Sequence, residues 1–116
     1  MIEDTIYTLL SAIGTTFPQT VKANQALPYM VYHVISNVPI HRKNSTAPTD
    51  VMRLQVDIYA ATAKGCGTLD EALRLALDRY SSGSIQFISY DNHYDNFDEE
   101  AEYYLRSVDL MLRINR

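Results

Sequence analysis

The sequence predicts an α+β domain of two layers, with two helices packed on one face of a largely antiparallel four-stranded sheet. Three observations carry that prediction. Residues 52–60 alternate strictly: Met52, Leu54, Val56, Ile58 and Ala60 fall on one side, and Arg53, Gln55, Asp57 and Tyr59 on the other. A period of two marks a strand with one face on a core. Ile2, Ile6, Leu9, Leu10 and Ile13, and later Leu69, Ala72, Leu73, Ala76, Leu77 and Tyr80, recur instead at helical spacing. The resulting order, helix-strand-strand-helix-strand-strand, closes into two layers when both helices share one face.

Each element has local reasons. Glu3 and Asp4 sit in the first turn of the opening helix, where carboxylates favour the helix dipole, and Gly14 ends it. Phe17-Pro18 then begins an irregular connection, and residues 19–26 show no period. Pro28 opens a strand to about Ser36, as proline tolerates a strand's first positions. Tyr29, Val31, His33 and Ile35 point one way, and Met30, Tyr32 and Val34 the other. Apolar residues on both sides imply a strand covered on both faces, by its own chain or by another subunit. Residues 37–50 form a long polar loop whose His41-Arg42-Lys43 is the densest positive charge of the chain. Ala61 to Gly67 reads as a turn, followed by a capping box, Thr68 to Glu71, that starts the second helix. That helix stops near Ser81-Ser82-Gly83; strands follow over about 84–90 and 102–114. In the last, Arg106 shares a side with Tyr104, Val108, Leu110, Leu112 and Ile114.

Composition narrows the function. A chain of 116 residues, 47% hydrophobic, fits a single domain over 1–116. A domain of this size buries about 65% of its unfolded surface without staples. The formal charge of −4 argues against general nucleic-acid binding, and no apolar run reaches the ~20 residues of a membrane helix. The N-terminus lacks the basic and apolar regions of a signal peptide, and Cys66 is the single cysteine. A soluble protein folded in a reducing cytoplasm is expected. Nine tyrosines without a tryptophan suggest amphipathic edges or a partner-facing surface.

No catalytic constellation stands out. Residues 91–102 hold six carboxylates and no lysine or arginine. Read as a calcium loop, they place Asp91, Asp95, Glu99 and Glu102 at positions one, five, nine and twelve, but His93 and Asn96 occupy positions three and six, and glycine is required at six. A solvated acidic loop, or one facing a basic patch, fits better. Cys66 lacks a neighbouring base signature, the three histidines fall on separate elements, and Gly65-Cys66-Gly67 lacks the lysine of a phosphate loop. No enzymatic activity, metal or cofactor is expected.

The order of elements, together with Leu27-Pro28-Tyr29-Met30-Val31-Tyr32, Gln55-Val56-Asp57-Ile58-Tyr59-Ala60, the helix from Glu71 to Tyr80 and Tyr104-Leu105-Arg106-Ser107-Val108-Asp109-Leu110, resembles the small tail-completion (tail-terminator, head–tail joining) proteins of long-tailed phages and prophages. The resemblance covers nearly the whole chain. It implies a subunit of a ring, expected as a hexamer, that caps the finished tail tube at its head-proximal end and docks the head connector. Its partners would be its own copies, the tail-tube protein and the connector or stopper, with assembly in the host cytoplasm. Such proteins have no cofactor. The carboxylate-rich segment 91–102 departs from the family.

Ring contacts are head-to-tail and need two complementary patches. The candidate contact residues are therefore His41, Arg42 and Lys43; Arg53, Gln55, Asp57 and Tyr59; and Asp95, Asp98, Glu99 and Glu100. Charge pairing between the basic and acidic segments is expected to set register. A small homo-oligomeric ligand-binding or regulatory α+β domain is the alternative, and an enzyme using Cys66 or the acidic cluster a third.

Overall fold

A computed structural model describes residues 2–18, 27–40, 49–100 and 102–115. It contains α1 (Ile2–Ser11), β1 (Thr16–Pro18), β2 (Tyr29–Ile40), β3 (Thr49–Ala60), α2 (Ala63–Leu77), β4 (Ile85–Asp98) and β5 (Tyr103–Asn115). The α+β class and the two helices agree with the sequence. Among the described residues the sheet has five strands, not four, in the order β1-β2-β3-β5-β4, and β1 runs parallel to β2. The strand over Thr16–Pro18 replaces the irregular connection expected there. Three residues are too few for a periodic signal, and β1 exists only because β2 offers it an edge.

The long strands are amphipathic, and their register sorts the residues into two faces. Met30, Ile58 and Arg106 share a row, as do Tyr32, Val56 and Val108. These rows face the helices. Ile6 and Leu10 of α1 and Cys66, Leu73 and Leu77 of α2 bury against Met52, Leu54, Val56, Ile58, Val108, Leu110 and Leu112 in one core. Both helices thus lie on one face, as expected.

Four boundaries differ from expectation. The loop assigned to 37–50 is mostly strand: β2 continues to Ile40 and β3 begins at Thr49, leaving 41–48 outside the described residues. Helix α2 begins at Ala63, not Thr68. Thr62 is its N-cap, accepting from the Gly65 N–H at 2.9 Å, while the Thr68 hydroxyl donates to the Lys64 carbonyl within the helix. The glycines at 65 and 67 suggested a turn, yet helix across them puts Cys66 into the core. The helix also ends at Leu77, short of Ser81, with Asp78 as C-cap and Arg79 at a φ of 66°. Finally, the carboxylate-rich stretch is strand as far as Asp98, and a short turn joins it to β5. Pairing with β5 overrides the poor strand propensity of Asp and Asn there.

Candidate functional site

The sheet face turned away from the helices is built from the outward residues of every strand. Here Tyr29 lies directly opposite Tyr59, and the rings stack at 4.9 Å between centroids. Phe17 of β1 meets the edge of Tyr29 at 6.1 Å, and Tyr103 of β5 meets Tyr59 at 5.2 Å. One aromatic row therefore crosses four strands. Such cross-strand aromatic pairs stabilise a sheet; Tyr29 is buried here, while Tyr59 and Tyr103 stay half-buried. Burial pushes the Tyr59 phenol up to about 12, with the nearby Asp57 carboxylate adding to the effect. Burial also raises Tyr29 and Tyr103, the latter beside Asp98.

The next rows are polar. Asp57 is buried on this face and accepts from the Ser107 hydroxyl at 2.7 Å and the Gln55 amide at 2.9 Å, with His33 Nε2 at 3.4 Å. These bonds explain how a carboxylate sits inside a sheet surface: its lone pairs are used before it is desolvated. Farther along, Arg53 is exposed with a guanidinium nitrogen 3.6 Å from Asp91. Of the expected contact residues, Arg53, Gln55, Asp57 and Tyr59 do share this face on the central strand β3.

Asp95 does not join them. It points to the helix side and binds Arg106, whose Nε donates at 2.6 Å and whose second nitrogen donates at 3.3 Å. Arg106 also donates to Asp70 of α2 at 2.8 Å, and the Tyr90 hydroxyl donates to the other Asp70 oxygen at 2.6 Å. Arg74 lies over the Tyr90 ring at 4.9 Å, and His93 Nδ1 is 3.0 Å from the Tyr90 oxygen. The Arg106 hydrogen bond holds the Asp95 carboxyl below its usual range. Burial is the first cause of the raised Tyr90 phenol, and its bond to Asp70 the second. This Asp70–Arg106–Asp95 bridge ties α2 to the β4–β5 hairpin. One signal for it was in the sequence, the place of Arg106 on the apolar side of the last strand; nothing there named its partners.

Asp98, Glu99 and Glu100 lie exposed at the end of the hairpin, with the Glu100 N–H held by Asp98 Oδ1 at 3.0 Å. His41, Arg42 and Lys43 lie outside the described residues. The sequence left Phe17 in an irregular connection, and the ring contacts that join it, Tyr29 and Tyr103 to Tyr59 follow only from which strands lie side by side.

Chemical groups elsewhere are engaged. Cys66 is buried, donates to the Ile58 and Tyr104 carbonyls at 3.6 and 3.4 Å, and has its thiol pushed up by burial. Beside it, a groove of about 400 Å³ opens between the start of α2 and the hairpin, lined by Ala63, Cys66, Phe97, Tyr104 and Arg106 among others. No three or more His, Cys, Asp or Glu side chains converge as metal ligands among the described residues, and no helix there is long and apolar enough to cross a membrane.

No family model and no curated protein matches this sequence. In fold, the chain is similar to a chain of a solved structure described as the virion of native gene transfer agent (GTA) particle. The TM-score is 0.71 at 13% identity, over 96% of this chain and 92% of that one. At that identity the likeness is one of fold.

Proposed function

We propose that this chain is a structural virion subunit of the tail-completion class: a ring protein that caps the tail tube at its head-proximal end and offers a docking surface to the head connector. The observation that carries the reading is the near full-length fold likeness to a chain from a gene transfer agent virion. The outward sheet face supports it, since an aromatic row beside buried polar groups is the composition of a protein contact surface. The exposed acidic hairpin end supplies a second, chemically different patch, as head-to-tail contacts require. In this role the chain catalyses no reaction and holds no cofactor, in keeping with a cysteine that burial keeps in the thiol form.

Mixing the purified protein with tail tubes that lack their head-proximal cap tests the reading. Electron microscopy should show density at one tube end only, and heads should then join the capped tubes. Tubes that stay bare, or that are coated along their length, would overturn it.

A further inference from the structure

The two edges of the sheet are finished differently along their lengths. On β4, the Ile88 N–H donates to the Tyr80 carbonyl and its C=O accepts from Arg79, at 3.0 and 2.8 Å. Ile85 makes the same reciprocal pair with Ser82, and the Tyr90 N–H goes to Asp78 at 3.1 Å. The backbone of these residues therefore points away from β5, and residues 78–82 cover it. Past the register shift after Tyr90, the residues opposite Val108, Arg106 and Tyr104 are His93, Asp95 and Phe97. Alternation along β5 turns their amides outward as well. The His93 and Phe97 N–H groups confirm this: each reaches only the side-chain oxygen of the preceding Asn92 or Asn96. An incoming strand can replace so local a partner.

On β2, the Met30 N–H donates to Thr15, so its backbone faces β1. Tyr32 and Val34 follow by alternation, then Asn37 and Pro39 after the shift between Val34 and Ser36. Strand β1 ends opposite Tyr32, and among the described residues nothing pairs with β2 beyond it. Pro39 turns its nitrogen to that open side, where no ladder bond is lost.

We propose that copies of this chain join edge to edge, the His93–Phe97 edge of β4 in one copy pairing antiparallel with His33–Asn37 on β2 of the next. The proposal rests on the ring reading above and specifies its contact. Topology supports it: through three successive antiparallel pairings β2 and β4 run in opposite directions, so a neighbour set down in the same orientation brings its β4 antiparallel onto β2. Charge supports it too. Residues 91–98 carry Asp91, Asp95 and Asp98, so a two-fold pairing of β4 with itself sets like charges together. Residues 33–39 of β2 carry no carboxylate, and their exposed Val34, Ile35 and Val38 can bury against Tyr94 and Phe97. The contact is heterologous, so it propagates into a ring or filament, not a closed pair.

Two proline variants test it, because each removes an outward N–H that no strand among the described residues uses. Sedimentation of the wild type should show assemblies that grow with concentration. His93→Pro and Asn37→Pro should each stay monomeric, and a one-to-one mixture should stop at a dimer, since each variant retains one good edge. Circular dichroism checks that both fold; Phe97→Lys and Val34→Lys, which keep every backbone bond, replace any that do not. If the wild type assembles and Asn37→Pro assembles as well as it does, the edge pairing is overturned while the ring reading stands. If the isolated wild type forms dimers and larger species that both variants abolish, yet tail tubes bind none of it, the edge pairing stands and the tail role falls. A wild type that stays monomeric in solution and on tubes overturns both.

Discussion

Arg106 is held by two carboxylates of unlike exposure, and the difference sets what each contributes. The Asp70 side chain is 8% exposed and that of Asp95 is 59% exposed. Removing Asp70 takes the buried partner from Arg106 and from the Tyr90 hydroxyl and leaves them only the exposed Asp95 and His93, so Asp70→Ala should cost about 2 kcal/mol in urea unfolding. Asp95→Asn acts in solvent and should cost no more than about 1 kcal/mol. Asp95 still leaves a pH signature. Its folded-state pKa is lowered, chiefly by the Arg106 bond, so its contribution is full above the ordinary carboxylate value near 4 and lost as pH falls through the folded value. The melting temperature of the wild type should therefore drop more steeply below about pH 4 than that of Asp95→Asn. Tyr59 works in the opposite direction. Its phenol is raised to about 12, so stability is full below the unfolded value near 10 and lost as pH rises from there toward 12. Tyr59→Phe should flatten that alkaline loss, read as melting temperature against pH.

At the scale of elements, α2 separates two candidate beginnings. Thr62→Ala removes the cap seen at the Gly65 amide and should cost about 1 kcal/mol. Thr68→Ala removes a hydroxyl turned back on the Lys64 carbonyl on an exposed face and should change stability by less than about 0.5 kcal/mol. The two glycines inside the first turns also differ. A Cβ on Gly67 meets nothing within 4 Å, whereas one on Gly65 comes within 3.1 Å of the Ala60 Cβ and 3.2 Å of Thr62 Oγ1. Gly67→Ala should accordingly stabilise by about 0.5–1 kcal/mol, and Gly65→Ala should gain less or lose stability, compared by thermal unfolding. The helix stripe from Leu69 onward was legible in the sequence, but its start was not. Two Thr residues and a Gly-rich stretch allow both starts, and only the core position of Cys66 against β3 and β5 selects the earlier one.

For the whole molecule, the acidic hairpin end bears on assembly. Glu99 and Glu100 are exposed there beside Asp98, while Asp95 is spent inside the chain. The triple variant Asp98→Asn, Glu99→Gln, Glu100→Gln should keep its melting temperature and weaken assembly most at low salt, measured by sedimentation from about 50 to 500 mM salt, because exposed charges are screened beyond about 10 Å at 0.1 M. A fall in melting temperature with unchanged assembly would place these carboxylates in the fold instead. The elongated shape, 53 × 24 × 22 Å, follows from strands of twelve to fourteen residues packed under only two helices. It leaves long edges for neighbours to meet.

By itself, the sequence determined the α+β class, the helices on one face, and the inner side of β3 and β5, because each rests on a period that one segment displays alone. Arg53, Gln55, Asp57 and Tyr59 were placed outward for the same reason. The tertiary structure alone decided the fifth strand, the length of β4 and the pairing of Asp95 with Arg106. Three residues of β1 show no period, and the Asp- and Asn-rich part of β4 reads as loop until β5 supplies its hydrogen bonds. The aromatic contacts from Phe17 through Tyr29 and Tyr59 to Tyr103 join residues up to 86 positions apart, brought together by a strand order that no local pattern records.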